Sequence, residues 1–124
     1  MEGRETDTKS TEAKGPQTAD CCSVEHSLTD RAVAADVQTL AALGNDTRYE
    51  ALRLIAAGDD AVCVCELEPA LGVSQGAVSQ ALSKLFSAGL VERRKEGRWR
   101  YYTATPRAER LLRVLDDTRS PDDD

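Results

Sequence analysis

The sequence has little of what enzymes and membrane proteins usually need. Its 124 residues include one histidine, one methionine and one tryptophan, and only five aromatic residues in all. No apolar run approaches the roughly 20 residues that span a bilayer, and the charged first residues lack the apolar segment of a secretory signal. We therefore expect one small cytoplasmic domain with no membrane contact and a modest core of Leu, Val and Ala.

Catalytic groupings are missing as well. With one histidine, no glycine-rich phosphate loop and no paired catalytic set, the chain is not expected to be an enzyme. A domain of this size is often only marginally stable alone and gains stability from dimerisation. These features favour a binding module over an enzyme.

The four cysteines occur as two close pairs, Cys21-Cys22 and Cys63-Val64-Cys65. In a reducing compartment, cysteines at such spacings point away from a structural disulfide framework. They indicate metal binding or redox chemistry instead.

The net charge of −6 is unexpected for a protein that binds nucleic acid, but the bases are concentrated in one place. Residues 84–100 carry six bases against two acids, a local net charge of +4 in an otherwise acidic chain. Such an island is the electrostatic footprint of nucleic-acid binding, although charge alone fits a solvated hairpin equally well. The six bases are Lys84, Arg93, Arg94, Lys95, Arg98 and Arg100.

Apolar periodicity predicts a mainly α-helical domain over residues 27–117. A disordered arm (1–26) that carries Cys21 and Cys22 is expected before it, and an acidic disordered tail (118–124) after it. Capping residues and glycines place helices at 28–43, 47–57, 64–71 and 75–88, and a last helix that starts at Thr105-Pro106. Two strands, 90–95 and 98–103, are expected on either side of a Glu96-Gly97 turn.

The helix at 75–88 has two different faces. Its apolar face carries Val78, Leu82, Leu85 and Phe86, while the opposite face is small, polar and uncharged, which suits close approach to base edges. A helix-turn-helix followed by a β-hairpin is the winged helix-turn-helix plan, in which the second helix enters the major groove and the wing follows phosphates. The predicted DNA contacts are Ser74, Gln75, Ser79, Gln80, Ser83, Lys84, Arg93, Arg94, Lys95 and Arg98.

Apolar residues on the first and last helices predict a homodimer. The first helix carries Val33, Val37, Leu40 and Leu43 at spacings of three and four. The last helix carries four apolar residues, more than one thin core needs, so we assign some of them to a dimer seam. These four are Leu111, Leu112, Val114 and Leu115.

Several segments together resemble the ArsR/SmtB family of metal-sensing repressors. They are Asn45-Asp46-Thr47-Arg48, Val62-Cys63-Val64-Cys65-Glu66-Leu67, Val73-Ser74-Gln75 with the helix that follows, and the hairpin from Arg94 to Arg98. The cysteine box is similar to that of the arsenic- and cadmium-sensing branches. The resemblance implies a dimeric repressor that leaves its operator when its cysteines capture a thiophilic ion.

Two positions depart from the family pattern. Glu68 stands where arsenic-sensing members often have a third cysteine, and Ala81 stands where many members have a histidine. The family's other metal sites use Asp and His on the last helix. Residues 106–117 contain no histidine, so we predict no such site here.

The spacing of Cys63 and Cys65 constrains how they can act together. On an intact helix, side chains two residues apart point in nearly opposite directions. The two sulfurs can converge only if the backbone is frayed, extended or distorted on binding. Because the next helix leads into Ser74, distortion there would couple ligand capture to the pose of the DNA-reading helix.

Two thiolates are too few for a trivalent metalloid, so the arm must contribute. Cys21 and Cys22 can complete the site, since the arm from Cys22 to Leu28 spans at most about 20 Å. We predict As(III) or Sb(III), which prefers three thiolates, as the inducer that derepresses a resistance operon. Cd(II), Pb(II) or Zn(II), and a Cys63–Cys65 disulfide that senses redox state, are the alternatives.

Overall fold

The computed structural model describes residues 22–123, of which five α-helices and a small sheet form the framework. Cys21 and most of the predicted arm lie outside the described residues. In chain order the elements are α1 (Asp30–Leu43), α2 (Asp46–Ala57), β1 (Val62–Cys63), α3 (Val64–Leu71), α4 (Gln75–Ser87), β2 (Val91–Glu96), β3 (Trp99–Ala104) and α5 (Pro106–Thr118), followed by a 3-10 turn (Pro121–Asp123).

Most helices begin where a side chain caps the first turn. Helix α1 begins at Asp30, two residues later than predicted, because the hydroxyl of Thr29 caps it by accepting from the amide of Ala32 at 3.0 Å. Asn45, Ser74 and Thr105 cap α2, α4 and α5 in the same way. A capping side chain satisfies an amide that has no partner within the helix, so the predicted helix starts follow from local chemistry.

The sheet is antiparallel, with strand order β1-β3-β2. The hairpin lies one residue later than predicted, because Glu96 still pairs with Trp99 and the turn is made by Gly97-Arg98. Gly97 has φ +62°, which the predicted glycine turn requires. Strand β1 was not predicted: its two residues pair with Tyr101 and Tyr102 of β3.

The core lies between α2, α4 and the base of the sheet. Its largest fully buried side chains are Leu52, Leu67, Val78, Leu82, Leu85, Leu90 and Val91. Leu112, which we assigned among others to a dimer seam, is only 4% exposed and belongs to this core. Phe86 does not complete the buried face of α4 as expected. It is 39% exposed, and the guanidinium of Arg93 lies over its ring at 4.0 Å.

None of the helices in residues 22–123 has the length and apolar character needed to cross a membrane.

Candidate sulfur site and nucleic-acid interface

Cys63 and Cys65 meet where β1 becomes α3. Cys63 is the last residue of the strand and has extended backbone angles (φ −72°, ψ 140°), while Cys65 lies in the first turn of the helix. Their Cα atoms are 5.2 Å apart, and the structure joins their sulfurs as a disulfide. Convergence therefore arises from an extended backbone, one of the routes expected from the spacing.

Cys63 also holds the start of α3. Its sulfur accepts from the amide of Cys65 at 3.3 Å, and a carboxylate oxygen of Glu66 accepts from the amide of Cys63 at 3.1 Å. This reciprocal arrangement is a capping box in which cysteine replaces the usual Ser or Thr. Sequence reasoning missed this role, although a glutamate three residues after the cysteine was a signal for it.

The two thiols differ in access. Cys63 is 4% exposed, whereas Cys65 lies at the surface. Within residues 22–123, no three His, Cys, Asp or Glu side chains form a metal-sized cluster. Cys22, at the exposed start of the described chain, is thus not brought to the Cys63–Cys65 pair, and Cys21 lies outside the described residues. The donor set fits a soft ion only if the arm supplies a further sulfur.

The outward face of α4 is exposed as predicted. Gln75, Ser79, Gln80, Ser83 and Lys84 all reach solvent. The hydroxyl of Ser74, also exposed, accepts from the amide of Ala77 at 3.1 Å. Its first role is therefore to fix where the helix begins.

The four basic hairpin residues singled out as DNA contacts are all exposed but lie on both faces of the wing. Arg93 and Lys95 project to one face of β2 and Arg94 to the other, because side chains alternate along a strand. Arg94 Nε donates to a Glu96 carboxylate oxygen at 2.8 Å. Arg98 lies in the turn at the tip.

Arg48 explains part of the motif that begins at Asn45. Its Nε and a terminal nitrogen donate to the carbonyl oxygens of Ala42 and Ala41, at 2.8 Å and 3.0 Å. These bonds satisfy carbonyls in the last turn of α1, of which the Ala41 oxygen also accepts from the amide of Gly44. Asn45, a predicted cap, and Arg48 thus hold the corner between α1 and α2, and the role of Arg48 is one that sequence reasoning did not assign.

Known regulatory proteins are similar in sequence to most of this chain. A family model described as "Bacterial regulatory protein, arsR family" matches residues 45–93. A Halobacterium salinarum protein named arsenical resistance operon repressor ArsR2 is 61% identical over 99 residues, covering 80% of this chain and 83% of that protein. The chain belongs to the arsR family. The predicted resemblance is confirmed, and the protein is a transcriptional regulator of this family.

Similar solved structures confirm the predicted winged helix-turn-helix fold. HlyU from Vibrio cholerae is 30% identical with a TM-score of 0.64, covering 73% of this chain and 98% of that one. The homodimeric winged helix-turn-helix DNA-binding domain of Mb0332 from Mycobacterium bovis is 32% identical with a TM-score of 0.61, covering 73% and 88%.

This arsR-family chain leaves apolar faces of α1 and α5 uncovered. Val37 and Leu40 of α1 are 57% and 66% exposed, and Val114 of α5 is 57% exposed. Val33 and Leu115 are also exposed. These residues lie on the two helices from which the dimer was predicted.

Proposed function

We propose that the protein is a homodimeric repressor that binds double-stranded operator DNA and leaves it when As(III) or Sb(III) binds its cysteines. Release would allow expression of a resistance operon. The observation that carries the proposal is the double role of Cys63. It belongs to the sulfur pair and also caps α3, the first helix of the helix-turn-helix.

The inducer site would consist of Cys63 and Cys65 with a third thiolate from Cys21 or Cys22. The structure supports the first two as one site, since one backbone turn brings them together. Soft trivalent metalloids prefer thiolates over oxygen donors. When bound, such an ion draws the available sulfurs toward one centre.

Capture would act on DNA binding through the start of α3. A ligand that takes the Cys63 sulfur competes with the amide of Cys65 for it and weakens the cap. A lost cap costs about 0.5–2 kcal/mol, comparable to the roughly 1–3 kcal/mol of a typical coupling between two sites. Because α3 leads through Gly72 into α4, the DNA-reading helix is the next element affected.

On DNA, the exposed Gln and Ser side chains of α4 would read base edges, and the wing would contact phosphates. Two α4 helices in a dimer must lie about 34 Å apart to occupy successive major grooves. The uncovered faces of α1 and α5 are the surfaces that support dimerisation.

The test is operator binding with and without arsenite and antimonite, for the wild type and Cys63→Ser. Serine is a strong N-cap, so this variant should keep α3 intact and bind operator normally. It should no longer be released by arsenite, because oxygen replaces sulfur poorly at a soft centre. Cys63→Ala is the matched control, which loses both the sulfur and the cap. Release of Cys63→Ser by arsenite would contradict the proposed site.

The arm cysteines discriminate between ions. For As(III), one of Cys21 and Cys22 should be dispensable, because three thiolates suffice. For Cd(II) or Pb(II), both should be required, and arsenite should release DNA poorly. Titration with Cd(II) and Zn(II) beside arsenite therefore separates the alternatives, and counting arsenic–sulfur contacts by X-ray absorption settles the ligand number.

A redox-sensing repressor is the second candidate, favoured by the joined sulfurs of Cys63 and Cys65. In that case peroxide alone should release the operator, and a dithiol reductant should restore binding. Replacing Cys21 or Cys22 by serine should leave this response intact. Under the metalloid proposal, peroxide-treated protein should instead lose its response to arsenite.

A further inference from the structure

One row of side chains crosses the sheet from the sulfur pair to the basic wing. Cys63 of β1 pairs with Tyr101 of β3, and Tyr101 pairs with Arg94 of β2. Directly opposed residues of antiparallel strands share a face, with Cβ atoms about 5 Å apart. Two such steps place a wing arginine roughly 10 Å from the sulfur site.

This row lies on the face of the sheet that points away from α4. Arg93, the neighbour of Arg94, contacts Phe86 of α4 on the other face. Cys63 is buried but is not part of the main core cluster, whereas Val62 and Val64 pack against that cluster. Cys63 is therefore buried on the Tyr101 side of the sheet.

Tyr101 contacts the arginine next to it. The guanidinium carbon of Arg94 lies 5.5 Å from the centroid of the half-buried Tyr101 ring, within the range of a cation–π interaction. Arg94 Nε also donates to a Glu96 carboxylate oxygen at 2.8 Å. The side chain of Arg94 thus contacts both Tyr101 and Glu96, so a shift of Tyr101 removes one of these two contacts.

Strand β1 is the element that joins the two ends of the row. It has two residues, and in the described part of the chain it pairs only with β3. One of these two residues, Cys63, is also the cap of α3. A ligand that displaces the backbone of Cys63 would therefore disturb the pairing to Tyr101 together with the helix start.

We propose that Tyr101 is a positioning residue that transmits ligand capture at Cys63 to Arg94. This inference rests on the proposed inducer site. Capture then withdraws one phosphate contact from each wing, in addition to its effect on α3. The inducer should lower not only operator affinity but also the dependence of that affinity on salt.

The test compares salt dependence of operator binding by the full chain with and without arsenite, at salt low enough for residual binding to be measured. Each lost phosphate contact lowers the slope of log affinity against log salt by about 0.9, so two wings should lower it by about 2. Tyr101→Thr removes the ring but suits a strand. In this variant arsenite should still bind but leave the slope unchanged, whereas Tyr101→Phe should behave as the wild type.

Two exposed wing residues give variants that do not threaten folding. Without arsenite, Arg94→Gln should already show a lower salt slope than the wild type, and arsenite should not lower this slope further. Lys95→Gln, on the opposite face of β2, should also show a lower salt slope without arsenite, but arsenite should lower that slope by about 2 more. A drop with arsenite in Arg94→Gln as large as in Lys95→Gln would overturn the role of the row.

Arsenite binding is followed separately by the ultraviolet absorbance of arsenic–thiolate bonds. If the wild type binds no arsenite, or stays on its operator when loaded, the proposed function fails and this inference with it. If loaded wild type is released with an unchanged slope, or if Tyr101→Thr shows the wild-type drop, only the role of Tyr101 is wrong.

Discussion

Helices α1 and α4 carry apolar residues at the same spacings of three and four, but the chain buries only one of the two sets. On α4, Val78, Leu82 and Leu85 are each at most 1% exposed. On α1, Val37 and Leu40 are 57% and 66% exposed. The apolar face of α4 is covered within the described residues of one chain, whereas most of the apolar face of α1 is left exposed there.

Burial within one chain and burial between two chains stabilise the fold in different ways. Each leucine buried on α4 contributes about 1.5–3 kcal/mol at any protein concentration. In the proposed dimer, the apolar face of α1 would contribute only on association, so its effect would grow with concentration. Under the proposed function, each DNA-reading unit is thus built within one chain, and α1 and α5 would set the distance between the two units.

The strongest test of this division is a charge on the uncovered face of α1. Leu40→Glu should leave the helical content unchanged but give a monomer in analytical sedimentation. Operator affinity should fall by roughly 100-fold or more, because a second linked contact typically multiplies binding by 10²–10⁴. Gln38→Glu places the same charge on the side of α1 near Ser87, nearly opposite Leu40, and should remain dimeric. A dimeric Leu40→Glu would show that the copies meet elsewhere.

A matched pair of side-chain truncations tests which helix buries its apolar face within one chain. Leu82→Ala in the core should cost about 2–5 kcal/mol in the free energy of unfolding, because it removes buried area and leaves a cavity. Its cost should not vary with protein concentration. Val37→Ala should cost little in dilute solution and more as concentration rises. Denaturant unfolding at several concentrations measures both, and the opposite pattern would reverse the assignment of the two faces.

Within the DNA-reading unit, α4 and the wing should fail in different ways. Gln80→Ala should change base preference by about 1–3 kcal/mol at one position of the operator and leave the salt slope unaltered. Lys95→Ala should weaken binding about equally on all sequences and lower the slope. Binding to a panel of single-base operator variants at several salt concentrations separates these effects. A wing variant with altered preference would mean that the roles are exchanged.

How far the fold could be predicted from the sequence depends on how local its signals are. The starts of α2, α4 and α5 follow from Asn45, Ser74 and Thr105, because a cap and its amide lie three residues apart. Strand β1 could not be found this way. It has two residues and exists because it pairs with Tyr101 and Tyr102, far along the chain.

The candidate site also combines features with local sequence signals and features that depend on contacts far apart in the chain. The cysteine box and the polar face of α4 were visible as patterns, since both lie within single elements. The cap made by Cys63 had a local signal in Glu66, whereas the row from Cys63 to Arg94 depends on strand β1, which no sequence pattern indicated. The burial of Leu112 also needed the fold, because the last helix carries similar leucines on both its covered and its uncovered side.

The smallest expected effect concerns the bond that holds α5 against α2. Two nitrogens of Arg53 donate to the Asp116 carboxylate, at 2.6 Å and 3.1 Å, and Arg119 donates to it at 2.9 Å. The hydrogen bond from Arg53 first, and that from Arg119 second, lower the pKa of Asp116 below its ordinary value. The charged form is therefore the one that the folded chain favours.

The sign of the resulting pH dependence follows from this lowered pKa. The contribution of Asp116 to stability is complete above the ordinary aspartate pKa of about 3.9 and is lost as the pH falls through the lower folded value. Because the pair is solvent-exposed, the contribution should be small and should shrink in high salt. Asp116→Asn should be slightly less stable than the wild type at pH 7, and the two should converge in strong acid. Asp117→Asn removes the same charge from the next residue of α5, so an equal loss in this control would show a general charge effect instead of the Arg53 bond.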